Sequence, residues 1–514
     1  MATNKDTENN TPSAPTPADN DIAKLTEVTD QDLAEAMVDE YGAKYSKDGK
    51  RLLKAPKDFS HYNIKEGTEI ICKNAFRVCN NLATITIPPS VTAIGGTVFF
   101  GCSSLTSITI PQNVRTMEGN PFAGWDGHIE IDSPYFKYYE DGGLVDIEKG
   151  ILVAFCSNAK SYTIPPSVNT IGNSAFAGRS SLTSITIPLS VIAIGGSAFS
   201  GCSSLTSVTI PPSVTAIGSS AFLGCSSLAS VTIPPSVTTI GGSAFSSCKS
   251  LTSITIPPSV TAIGEKTFYN CESLTSITIP QSVTAIGPGA FSGCSSLTSV
   301  TIPPSVTAIG CFAFSGCSSL TSITIPPSVT AIGPGAFSGC SCLTSITISQ
   351  NVRTMEGNPF ADWHGHVEID SPYFKYEDGA LIDIEKGILV AFCSNAKSYT
   401  MPPSVTTIGN KAFSVCKNLT SVTIPPSVTA IGGSAFSGCS SLTSITIPPS
   451  VTTIGEEAFS SCESLTSITI PQSVTTIGKR AFIRCPNLDD TTKSEISRRF
   501  VDKVFGGFQN LIVH

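Results

Sequence analysis

Charge, histidine and long apolar runs are what this 514-residue chain has least of. Charged residues make up 14% of it, and it holds only five histidines and two tryptophans. No window reaches the roughly 18 consecutive apolar residues of a membrane-spanning helix. The opening MATNKDTENNTPSAPTPADND has neither the basic nor the apolar region of a secretory signal, so a cytoplasmic location is the expectation. Basic stripes and aromatic-basic RNA motifs are missing, which argues against a nucleic-acid partner. The net charge of −8 is unevenly placed: residues 1–50 carry eleven acids against five lysines, which leaves −2 for everything else.

Catalytic signatures are absent as well. No serine or cysteine stands in a GxSxG-like nucleophile context, and there is no Walker motif, no GxGxxG before a helix and no CxxC pair with zinc spacing. His364 and His366 form an HxH with Asp362 and Glu368 nearby, and residues i and i+2 of a strand share a face that could hold a metal. An earlier copy of this stretch has Asp126 and His128 in their place, and a solvated loop edge is the simpler reading. No catalytic residue, cofactor or metal ion is expected.

What the chain has in abundance is repetition. Phenylalanine recurs every 23 residues at 76, 99 and 122, again from Phe176 to Phe360, and again from Phe413 to Phe482. That makes sixteen units with two longer gaps, 54 residues before Phe176 and 53 before Phe413. In one unit, CSSLTSITIPPSVTAIGPGAFSG (317–339), Ile323 and Ile325 alternate with Ser322 and Thr324, the pattern of a strand with one buried face. Pro326 and Pro327 have no amide hydrogen and end that strand. Val329 and Ile332 return to the core, Gly333 permits a turn, and Ala336 and Phe337 pack the far side in a turn or single helical turn. One such unit buries only a narrow stripe, so it needs neighbours, as the rungs of a solenoid do.

The unit LxxIxIPxxVxxIGxxAFxxCxx resembles the 23-residue leucine-rich repeats of the BspA-like, or Treponema pallidum-type, family over about residues 60–488. The resemblance implies a repeat solenoid, curved, with a parallel sheet on its concave face and short turns or helical turns on the convex side. It also implies protein binding or adhesion, and cell-surface display as the alternative location.

The domain reading follows. Residues 1–25 are a disordered acidic leader, and 26–61 an N-terminal cap of helix plus hairpin. Residues 62–488 are the solenoid, with enlarged units near 123–165 and 361–402, and 489–514 a C-terminal capping helix and tail. In the cap, TDQDLAEAMVDEYG (29–42) suggests a helix with Leu33, Met37 and Tyr41 on one face. The enlarged units read as a hairpin turning at Asp141-Gly142 or Asp378-Gly379, and 45–64 follows the same plan with Asp48-Gly49 at its turn. At the far end Thr492-x-x-Glu495 suggests a capping box, with Ile496, Phe500 and Val504 on one helical face. Both helices read as covers for the sheet ends, the alternative being partner-binding helices.

Thirteen of the eighteen cysteines stand three residues after the repeat phenylalanine, one per unit. Side chains in one column point in parallel, which is poor disulfide geometry, so buried reduced thiols are expected. Trp125 and Trp363, with Tyr135 and Tyr373 after them, occupy matching places in the enlarged units; they could anchor a partner or cover a widened core. The outward strand positions barely vary: Ser253/Thr255, Ser276/Thr278, Ser299/Thr301 and Ser322/Thr324. Such a face suits a multivalent protein-binding module whose weak contacts add along the array. A purely structural rod, or a surface for ice or polysaccharide, is the alternative; a protein partner is expected and a glycan is possible.

Overall fold

The computed structural model describes residues 24–500 and 504–505, in two compact units, residues 1–225 and 226–514. Most of the expected leader thus lies outside the described residues. Each unit is a β-solenoid of stacked rungs. In the second unit, the rung Ser322–Thr324 pairs in parallel with Ser299–Thr301, which pairs with Ser276–Thr278 and that with Ser253–Thr255. The middle residue of each strand is buried and its two neighbours are exposed. After the prolines the chain turns, with Val329 N–H donating to Pro326 O at 3.0 Å.

The return segment is more regular than its sequence suggests. Ala331–Ile332 is itself a strand, paired in parallel with Ala308–Ile309 in a second ladder that runs from Ala262–Ile263 to Thr354–Met355. The third side of the rung is a turn face, held by bonds such as Phe314 N–H to Ala336 O at 2.8 Å. Between the faces run columns of Leu, Ile, Val, Phe and Cys. From Phe245 to Phe337 consecutive rings stack at 5.3–5.8 Å and within 10° of parallel. Each fully buried aliphatic or phenyl group contributes about 1.5–3 kcal/mol, and each needs a neighbouring rung on both sides to be buried.

In the first unit helix α1, Asp30–Ala34, is capped by Thr29, which forms a reciprocal capping box with Asp32. The expected helix to residue 42 is cut short. Met37–Val38 is a strand antiparallel to Lys44–Tyr45, and the Asp39 carboxylate accepts from the Tyr41 and Ala43 amides to fold the turn between them. Gly42, at φ +87°, closes that turn. Lys44–Tyr45 pairs antiparallel with Arg51–Lys54, which begins a parallel ladder through Ile70–Ile71 and Ala93–Ile94 to Thr116–Met117.

The enlarged units are three-stranded meanders. In the first unit Phe136–Tyr138, Gly143–Asp146 and Ile151–Phe155 run antiparallel, and Ile151–Leu152 then pairs in parallel with Thr170–Ile171. In the second unit Phe374–Glu377, Ala380–Asp383 and Ile388–Phe392 do the same before Thr407–Ile408. The hairpin turn at Asp141-Gly142 or Asp378-Gly379 is present, but the stretch after it breaks into two strands around Glu148–Gly150 or Glu385–Gly387. The Asp48-Gly49 turn precedes Arg51–Lys54, so it matches this second turn of the meander and Gly42 matches the first.

Helix α2, Asp490–Arg499, follows the last rung of the second unit. Its N-cap is Asp489, whose carboxylate accepts from the Thr492 amide and hydroxyl; Thr492 is therefore the third helical residue and not the cap the sequence suggested. Asp489 wins because a carboxylate is a stronger acceptor than a hydroxyl at the positive helix start. Ile496 is buried on the rungs beneath, and the Arg499 guanidinium donates to Ile470 O, Pro471 O and Val474 O. Phe500 ends the helix in extended backbone, so Val504 is buried from beyond it.

Candidate functional site

Strand alternation turns every first and third residue of the Ser-x-Thr strands outward. In the second unit the register places Ser253, Ser276, Ser299 and Ser322 in one row and Thr255, Thr278, Thr301 and Thr324 in another, about 4.8 Å apart along the ladder. All eight are exposed, and none of their hydroxyls makes a hydrogen bond to the protein among the described residues. The adjoining threonine column is different. Thr321 donates to Thr298 O, Thr298 to Thr275 O and Thr275 to Thr252 O, so those hydroxyls stiffen the stack and are not available. The face therefore presents two unspent hydroxyl rows beside one that is tied down.

At the enlarged units the face changes chemistry. Ser345 pairs with His366 and Thr347 with Glu368, and the Thr347 hydroxyl donates to the Glu368 carboxylate at 3.0 Å. The first unit repeats this with Ser107 beside His128 and Thr109 beside Glu130. It also starts its face with His61, whose Nδ1 lies 2.7 Å from the Thr84 hydroxyl. Three of the chain's five histidines thus punctuate one kind of surface. Their scarcity was the available signal, but their strand positions follow from pairing between segments and not from local pattern.

Trp125 and Trp363 are core residues and not anchors: they are 3% and 2% exposed, and their indole N–H groups donate to Leu105 O and Leu343 O at 2.6 Å. Enlarging the rung leaves a wider interior that only a large ring fills. Tyr135 and Tyr373 are half-buried beneath the guanidinium groups of Arg115 and Arg353, each 5.4 Å from the ring centre. His364 is exposed at the loop edge. No three His, Cys, Asp or Glu side chains gather as a metal site among the described residues.

The column cysteines are buried, and most of their thiols donate to the carbonyl of a phenylalanine one rung back, for example Cys317 to Phe291 O and Cys340 to Phe314 O, both at 3.2 Å, while Cys79 donates to Pro56 O. Burial pushes the Cys271 and Cys340 thiols up to about 12. A thiol of that kind is a poor nucleophile and a poor metal ligand.

Residues 52–136, 147–275, 261–372 and 384–512 match the sequence profile of the BspA type leucine rich repeat region, in six copies. Among solved structures, the chain is similar to a leucine-rich repeat protein from Bacteroides ovatus at 26% identity, over 92% of this chain and 96% of that one, with a TM-score of 0.38. It is similar to a leucine rich cell surface protein from Faecalibacterium prausnitzii at 31% identity, over 72% and 96%, with a TM-score of 0.47. A leucine rich repeat protein of T. pallidum is 24% identical over 45% and 86%, with a TM-score of 0.22. No curated protein matches. Among the described residues no helix is long and apolar enough to cross a membrane.

Proposed function

Because the chain belongs to the BspA-type leucine-rich repeat family, we propose that it is a non-catalytic scaffold that binds a protein partner, as in adhesion, through its Ser-x-Thr face. The observation that carries this reading is the pair of unspent hydroxyl rows, Ser253 to Ser322 and Thr255 to Thr324, exposed at every rung and held in strict register. A rigid sheet of donors and acceptors suits many weak, equivalent contacts that add along the array. Family resemblance favours action at a cell surface, and fractionation of cells decides between that and the cytoplasm.

Replacing Ser276, Thr278, Ser299 and Thr301 together by tryptophan should lower recovery of the partner by the intact chain at least tenfold in a pull-down. Recovery that is unchanged would take the binding role away from this face. The invariance of the rows also supports a second reading, a surface for a repeating ligand such as a polysaccharide or ice, or a rod without a ligand. Glycan-array binding or thermal hysteresis without any recovered protein would favour it, and silence in all three measurements would leave the rod.

A further inference from the structure

The second ladder of each unit is broken at the enlarged rung, and each break opens a cleft. In the second unit the ladder that began at Ala262–Ile263 stops at Thr354–Met355, and the next sheet begins with the antiparallel meander. The cleft between them, about 380 Å³, is lined by Met355, Glu356, Asp383, Lys386, Ile388 and Asn410, among others. The first unit has its counterpart, about 250 Å³, where Thr116–Met117 ends its ladder; Met117, Glu118, Lys149, Ile151 and Asn173 stand in the corresponding places. The larger lies at the small end of the usual ligand-pocket range of ~300–1,000 Å³ and the smaller just below it, room for a short stretch of chain.

What the clefts lack is specific. In an ordinary rung the isoleucine carbonyl takes the amide of the residue that follows the next rung's ladder strand, usually glycine: Ile309 O accepts from Gly333 N–H at 2.9 Å, and Ile94 O from Glu118 N–H at 2.9 Å. Met355 O and Met117 O hold the equivalent position and receive no such donor among the described residues. An open strand edge with an apolar floor is a template for another strand. The charge at the rim is acidic. Lys386 is taken up by the buried Asp383 carboxylate at 3.2 Å, which leaves the exposed Glu356 as the unanswered charge of that cleft. Elsewhere in the same unit acid and base meet across stacked rungs, though two residues further along the rung: Arg480 reaches Glu457 at 3.8 Å where Thr476–Ile477 stacks on Thr453–Ile454.

We propose that each cleft binds an extended peptide of a partner protein, laid along the broken ladder as its missing strand, with the pattern aliphatic, glycine, basic. The aliphatic side chain covers Met355 and Ile388, the glycine amide bonds Met355 O, and the basic group faces Glu356. Glycine, which fills this place in most rungs, is favoured because the rungs approach closely: a Cβ added at Gly455 would stand 2.4 Å from Gly433 N. The site is separate from the Ser-x-Thr face, so variants of the two faces distinguish the two interactions. The first-unit cleft should be the weaker one, because the Glu118 carboxylate already accepts a hydrogen bond from the Thr26 hydroxyl.

The test uses the full chain and a fluorescein-labelled peptide QSVTTIGKRAF, the sequence of its own residues 472–482, read by fluorescence polarisation. Saturable binding is expected, at least tenfold tighter than to PSVTTIGEEAF, the sequence of residues 449–459, which carries acids where the first carries lysine and arginine. Glu118→Lys with Glu356→Lys should reverse that preference. Thr170→Trp with Thr407→Trp should fill both clefts and abolish binding, while tryptophan at Ser276 and Thr278 should leave it intact. Unchanged melting by circular dichroism shows that the variants fold. Absence of saturable binding, or binding indifferent to the Thr170 and Thr407 changes, overturns the proposal. So does self-association of the chain that the cleft variants dissolve, or peptide binding seen only after residues 1–23 are removed, since either gives the seat to this chain itself.

Discussion

Arg179 stands three residues after Phe176, the place cysteine holds in the rungs around it. It is 3% exposed, and its Nη2 donates to Trp125 O at 2.8 Å and more loosely to Phe122 O at 3.4 Å. Its Nε has no hydrogen-bond partner, and no carboxylate forms an ion pair with it among the described residues. Burial pulls its pKa down, the expected response of a cation that has lost water and gained only carbonyls. In the second unit Cys416 fills the same place after Phe413. Arg179→Cys should therefore stabilise the chain by about 1–3 kcal/mol in urea denaturation, because an uncompensated buried charge costs more than two carbonyl bonds return. A fall in stability would show that those two bonds hold the enlarged rung together.

At the scale of the element, the Ser-x-Thr strand was legible because alternation over LTSITI needs only six residues of one chain. The second ladder was not, since Ala331–Ile332 is two residues long and shows no period of its own; it exists only through pairing with its copies. The same reason hid the third strand of each meander, and the helix expected over 29–42 lost to the pairing of Met37–Val38 with Lys44–Tyr45. Glycine after the isoleucine was read as a turn residue, whereas close stacking is what favours it in most rungs. Gly455→Ala puts a methyl group 2.4 Å from Gly433 N and 2.6 Å from Gly432 C, both backbone atoms that cannot step aside. The expected loss is about 1–3 kcal/mol in urea denaturation, the usual cost of overpacking. A change below about 0.5 kcal/mol would mean that the two ladder strands part without penalty.

At the scale of the whole chain, the repeat and its two matched interruptions were the plainest features of the sequence, because sixteen copies report one environment sixteen times over. That redundancy also identified the cysteine column, and the structure gives the column a collective consequence. Burial pushes Cys102 and Cys202 in the first unit, and Cys271 and Cys340 in the second, up to about 12, against about 8.5 for a free thiol. A group whose folded pKa is raised binds its proton more tightly in the folded state. Its contribution is therefore complete below the unfolded value and is lost as pH rises toward the folded one. The chain should hold a constant melting temperature from pH 6 to 8 and lose stability steeply from about pH 9 upward, with many thiols acting together. Replacing Cys271, Cys294, Cys317 and Cys340 by alanine should lower stability at pH 7 but flatten that alkaline slope. Labelling gives a second measure: at pH 8 the exposed Cys342 and the half-buried Cys311 should react first, the other sixteen only on denaturation. Fast labelling of the column in the native chain, or a melting temperature indifferent to pH between 9 and 11, would mean that the column is not the sealed core the rungs imply.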